Sequence, residues 1–181
     1  MTETPDVVDL IGRAGAAARR VAGAIGPDDW HKPTPCTEYD VQDLFAHFTG
    51  SLQRMPLMAR GEKVDWSQPV DLGADPLATF AAAVEDNVRF WSEGDNASLS
   101  MGPMSLSGLN LTEVVVHTWD LARGIGQAPA FDPDVVQGAW EWASTVPAEM
   151  RSQGTSFGPP VDVADTAPTL DRLVGLLGRT P

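Results

Sequence analysis

The stretch Leu109-Asn110-Leu111-Thr112-Glu113-Val114-Val115-Val116-His117-Thr118-Trp119-Asp120-Leu121-Ala122-Arg123-Gly124-Ile125 decides the fold. Its apolar residues cover most of the circumference of a helix, so a helix over about 108–124 is expected to be the most buried element. Glu113 and His117 stand one turn apart on one face, and Asp120 continues that face within a sector of about 60°. Three polar side chains on so greasy a helix need a reason.

Working outward, the other segments also read as helices. Val7, Leu10, Ile11, Ala14, Ala18, Val21 and Ile25 recur at helical spacing from Pro5 to about Ile25, where Gly26-Pro27 stops the run. Trp30 to Cys36 holds too many prolines for a helix and reads as a fixed loop, with Trp30 folded back on the core. Asp40 is an N-cap for a second helix that carries Leu44, Phe45, Phe48 and Leu52 and ends by Gly61. Asp75-Pro76 opens a third helix to about Glu93. Residues 94–107 read as loop with a short hairpin. Asp132-Pro133 opens a fifth helix to about Met150, Gln153 to Asp165 is loop, and a short last helix ends at Gly178. The fold class is therefore all-α, an up-down four-helix bundle with an additional helix and a short C-terminal helix. One domain spans 1–181, with the bundle core at about 5–150 and an extension over 151–181.

Composition removes several functions. The 181 residues include 25 acids against 12 bases, a formal charge of −13. No basic block exists to neutralise phosphates, so nucleic acid and anionic membrane surfaces are not expected partners. No apolar run approaches the roughly 18–20 residues of a membrane span, and the first residues do not read as a signal peptide. Cys36 is the only cysteine, which makes a reducing compartment, the cytoplasm, the expected location.

Only three histidines occur: His31, His47 and His117. A carboxylate and an imidazole at the Glu113–His117 spacing can bind one metal ion jointly, and bundles build metal sites from facing helices. His47, on the flank of the second helix's apolar stripe, is the natural third ligand. Two imidazoles and one carboxylate leave a coordination position open and suit zinc, nickel or another first-row divalent ion. Asp120 is either a partner of a ligating histidine or a solvent-facing acid. Three plainer readings stand beside the metal site, the first being that His47 is a satisfied histidine on a helix flank. The Glu-His-Asp stripe can be a solvated helix face, and Asn110 with Glu113 has the spacing of a capping box at a helix start. Cys36 reads as a small apolar filler, His31 as exposed, Trp119 as core, and Met101 and Met104 as residues able to line a pocket mouth.

The run from Thr34-Pro35-Cys36-Thr37-Glu38-Tyr39-Asp40-Val41 to Leu44 and His47 resembles the mycothiol-dependent maleylpyruvate isomerase-like, DinB-related metal proteins. So does Leu111 to Ala122, above all its E-x-x-x-H-x-W-D core. The tail, from Phe157-Gly158-Pro159-Pro160 through Leu177-Gly178-Arg179, is similar to that of stand-alone actinobacterial members. The resemblance implies a bundle with a metal held by His47, Glu113 and His117. It also implies mycothiol as co-substrate, with the metal activating the thiol toward a small electrophile. The isomerase carries a further C-terminal domain, whereas about thirty residues follow the fifth helix here, so a thiol S-transferase is the expected activity. A metal-dependent hydrolase and a non-catalytic binding module are the alternatives. A homodimer is compatible with such a short bundle. No residue is assigned as a catalytic acid or base.

Overall fold

The computed structural model describes residues 6–147 and 157–181. Six helices dominate them: α1 (Val7–Ala22), α2 (Val41–Ala59), α3 (Pro76–Ser92), α4 (Leu106–Gly124), α5 (Pro133–Thr145) and α6 (Thr169–Leu176). The fold is all-α. Strand pairing among the described residues is confined to a hairpin of β1 (Ser100–Met101) and β2 (Met104–Ser105) and one isolated bridge, Pro33 to Asp40. No described helix is long and apolar enough to cross a membrane.

The helix starts follow their caps. Asp6, Asp40 and Asp75 each accept a backbone N–H of the first turn of α1, α2 and α3. The α4 helix begins at Leu106, two residues earlier than its apolar pattern implies, because Ser105 caps it by accepting from Gly108 N at 3.1 Å. Glu113 therefore lies two turns inside the helix, and the capping-box reading of Asn110 and Glu113 falls. The α5 helix stops at Thr145 rather than near Met150: Val146 turns extended before Pro147, as residues preceding proline do. Residues 148–150 and the start of the expected loop at Gln153 lie outside the described residues.

The first four helices form a ring in the order α1, α3, α2, α4, and α5 covers α1 and α4. Their directions depart from simple alternation. Phe80, early in α3, meets Phe45 and Phe48, early in α2, at ring distances of 5.0 and 5.2 Å. Asn87, late in α3, bonds the carbonyl of Leu52, late in α2. Thus α2 and α3 run the same way. The connection between them makes this feasible by returning along α2, where Arg54 donates to the Gln68 carbonyl and Val70 lies over Gly50.

The core is aromatic and aliphatic, with Phe45, Phe48, Phe80, Trp91, Leu111 and Leu121 fully buried. Trp30 packs edge-on against Phe45 at 5.3 Å, as expected for a loop folded back on the core. As anticipated, α4 is the central element: all but three of its 19 residues are buried. Burial on every side forces each polar residue on α4 to find a partner or to bind something.

Candidate metal centre

Three elements build the site. The 30–40 loop is pinned ahead of α2 by hydrogen bonds from Val41 N to Lys32 O and from Gln42 N to Trp30 O. Thr34 Oγ1 ties its ends further by donating to the carbonyls of Cys36 and Tyr39. The loop abuts the end of α4 closely: a Cβ at Gly124 would sit 2.9 Å from a Val41 methyl and 3.1 Å from the Thr34 methyl. These contacts set the antiparallel register of α2 against α4 and bring His47 opposite His117.

The rings of His47 and His117 are 5.1 Å apart and nearly perpendicular. Tyr39 stacks on His47 at 5.0 Å and fixes its plane. His117 is completely buried, and Glu113 is 7% exposed. One ligand atom from each of His47, Glu113 and His117 lies within 4.8 Å of the others. The residues that sequence spacing selected are thus brought together.

The details fit a metal better than a closed hydrogen-bond network. His117 Nε2 is 3.0 Å from Glu113 Oε2, yet it has no aligned hydrogen-bond partner, and neither has the buried Nε2 of His47. A close but misaligned nitrogen–oxygen pair is what two groups facing a common third point produce. Ligands about 2.0–2.1 Å from a tetrahedral zinc stand roughly 3.3 Å from each other. Two nitrogens and one oxygen, with some exposure left at His47 and Glu113, can hold a divalent ion and leave it reachable.

Electrostatics divide the two imidazoles. Burial, then the positive charge of His117, pushes His47 down to about 4, so this ring is neutral and ready to ligate. Burial also opposes charge on His117, but the carboxylates of Asp120 and Glu113 overcome it and push the ring up to about 9. Burial alone would raise Glu113; the contact with His117, helped by His47 and Arg179, holds it below the usual glutamate range. The protonated His117 ring thus places a positive charge between the Glu113 and Asp120 carboxylates.

Asp120 does not face solvent. It is fully buried, with Oδ2 3.4 Å from His117 Nδ1, at the long end of hydrogen-bond range. Its other partner, Arg179, was not singled out as a site residue by sequence reasoning. The guanidinium donates to Asp120 from Nη2 at 2.9 Å and from Nε at 3.3 Å. The only signal for it in the sequence is a lone arginine directly after the helix-ending Gly178 in an apolar tail. Elsewhere, the His31 side chain is exposed and approaches Asp40 at 3.3 Å, away from the cluster. Cys36 is half-buried, and burial pushes its thiol up to about 11, which keeps it protonated and poorly nucleophilic. Trp119 is core. Met101 and Met104 sit in the hairpin ahead of α4, whose first residue is roughly 16 Å along the helix from His117, so they do not line this site.

Fold and site together define a helical bundle with a buried two-histidine, one-carboxylate cluster suited to a metal. The chain belongs to the family of the mycothiol maleylpyruvate isomerase N-terminal domain, whose model matches residues 11–122. His47, Glu113, His117 and Asp120 all fall within the match; Arg179 falls beyond it. The chain is also 29% identical, over 172 residues, to the uncharacterized proteins MT0763 and Rv0738 of two Mycobacterium tuberculosis strains. These alignments cover 93% of this chain and 94% of each relative. No solved structure matches significantly.

Proposed function

We propose that the protein binds a divalent metal, zinc or a similar first-row ion, through His47, Glu113 and His117. In this reading it catalyses transfer of a small thiol of the mycothiol type to an electrophilic substrate. One observation carries the reading: two buried imidazole nitrogens without hydrogen-bond partners converge with a carboxylate. Family membership supports the thiol, because the matching domain is named for mycothiol chemistry.

Bound there, the metal would stabilise thiolate over thiol near neutral pH and so supply the nucleophile. The chain's own residues do the rest. His47 offers a neutral ring held by Tyr39, and His117 offers Nε2 while Nδ1 faces Asp120. Phe48, packed 5.6 Å from the His117 ring, walls the inner side against water.

The test is elemental analysis of the wild-type chain beside His47→Ala and His117→Ala after zinc loading and dialysis. About one metal per wild-type chain is expected, with loss in both variants; full metal in His117→Ala would overturn the assignment. Turnover of electrophiles is then measured with and without thiol. Dependence on the thiol supports transfer, and turnover without it reassigns the site to hydrolysis by bound water.

A further inference from the structure

The Asp120–Arg179 pair is a buried ion pair that links the site to the far end of the chain. Arg179 is 3% exposed, and Asp120 has no exposure at all. Two hydrogen bonds and a turn aim the arginine inward. Its backbone N–H donates to the Val174 carbonyl at 2.9 Å, and its Nη1 donates to the Leu177 carbonyl at 2.8 Å. Between them, Gly178 turns the chain at φ +89°, a conformation that favours glycine, and a Cβ there would strike the Gly158 backbone at 2.6 Å. The tail is built to deliver this side chain.

The acceptor it reaches is not an arbitrary carboxylate. Asp120 Oδ2 is shared, taking Arg179 Nη2 on one side and facing His117 Nδ1 on the other. An ion pair that served only to hold the tail down would not need an oxygen beside a histidine whose other nitrogen points into the cluster. A metal-bound histidine commonly donates its second ring N–H to a carboxylate, which fixes both tautomer and ring orientation. That carboxylate must itself be held, and here the guanidinium spans it.

We propose that Arg179 is a positioning residue of the metal centre. It holds Asp120, which in turn holds His117 with Nε2 toward the metal, so that the C-terminal segment becomes part of a site whose ligands all come from the bundle. The inference rests on the metal reading above.

The test is cobalt(II) titration of the full-length chain, followed by visible absorption, which reports both affinity and ligand geometry. Arg179→Gln and Asp120→Asn are each expected to weaken binding by about 10-fold or more and to alter the absorption band. The Asp120→Asn/Arg179→Gln double variant is expected to bind no more weakly than Asp120→Asn alone, because the arginine acts through the aspartate. Arg179→Lys, which keeps the charge but not the fork, is expected to fall between wild type and Arg179→Gln. Leu173→Ala, a buried α6 change outside the contacts that hold Arg179, is expected to lower the melting temperature and leave cobalt affinity unchanged. Wild-type affinity and spectrum in Arg179→Gln, or additive losses in the double variant, would overturn the inference alone. A wild-type chain that takes up no cobalt would overturn the metal reading and this inference with it.

Discussion

Two buried polar clusters lie along α4, and they differ in one respect. Toward its start, Asn110 and Asn87 exchange side-chain amide hydrogen bonds at 2.9 Å each way, and Asn87 also donates to the Leu52 carbonyl at 3.0 Å. Toward its end, His47, Glu113 and His117 converge and leave two ring nitrogens without aligned hydrogen bonds, one of them 3.0 Å from the Glu113 carboxylate. Both clusters tie α4 to α2 across the core. The asparagine pair is closed, with donors and acceptors matched, and it fixes how α2, α3 and α4 meet. The histidine cluster is open. Burying polar groups is costly unless they are satisfied, so an open cluster persists in a well-packed core when something else completes it. Four buried side-chain polar atoms among the described residues lack hydrogen-bond partners, and two of them belong to this one cluster.

The contrast can be broken experimentally, and the largest effect concerns His47. Its Nε2 makes no hydrogen bond, so His47→Phe, which can keep the stack on Tyr39, is expected to leave metal-free stability within about 1 kcal/mol. The same change should remove metal-linked stabilisation, which for a wild-type chain that binds the metal would be about 2.7 kcal/mol at a metal concentration 100 times Kd. Thermal melts with and without zinc measure both quantities. A His47→Phe protein that zinc still stabilises as much as wild type would show that the cluster is not the metal site.

Asn87→Ala probes the closed cluster. It strands Asn110 without its partner and is expected to cost about 1–3 kcal/mol in denaturant melts, while metal stoichiometry stays unchanged. Loss of metal in this variant would mean that the two clusters are not independent.

The smallest effect is in pH. Without metal, His117 is raised to about 9 against an ordinary 6.5. Its charge therefore stabilises the metal-free fold fully below about 6.5, and that contribution is lost as pH climbs through 9. A metal must displace this proton, whereas His47, lowered to about 4, has none to give above pH 5. Metal affinity should thus rise about tenfold per pH unit between 6 and 8.5 and level off above 9, with about one proton released per metal at pH 7.5. Calorimetry in buffers of different ionisation enthalpy counts that proton. Release of none would place the proton elsewhere.

Much of the molecule was legible from local signals. Asp40 and Asp75 marked two helix starts that they cap, and proline and glycine marked the breaks, because capping and backbone restriction act within a few residues. Glu113 and His117 announced themselves by spacing on a helix with no polar face to spare. Other features were hidden. Ser105 as the true cap of α4 was masked by the hairpin just before it. The common direction of α2 and α3 depends on a connection that doubles back along α2, and no periodicity records the path of a connection.

By itself, then, the sequence determined which segments are helical, that α4 lies at the centre, and which side chains offer metal-ligand chemistry. Those properties follow from covalent geometry and from the separation of apolar and polar residues along a helix. Tertiary structure alone decided that Asn87 would meet Asn110, that Asp120 would be buried, and that Arg179 would cross 59 positions of chain to hold it. Pairings at that distance leave no local trace, because they are selected by the packing of whole helices and by the requirement that every buried charge find its partner.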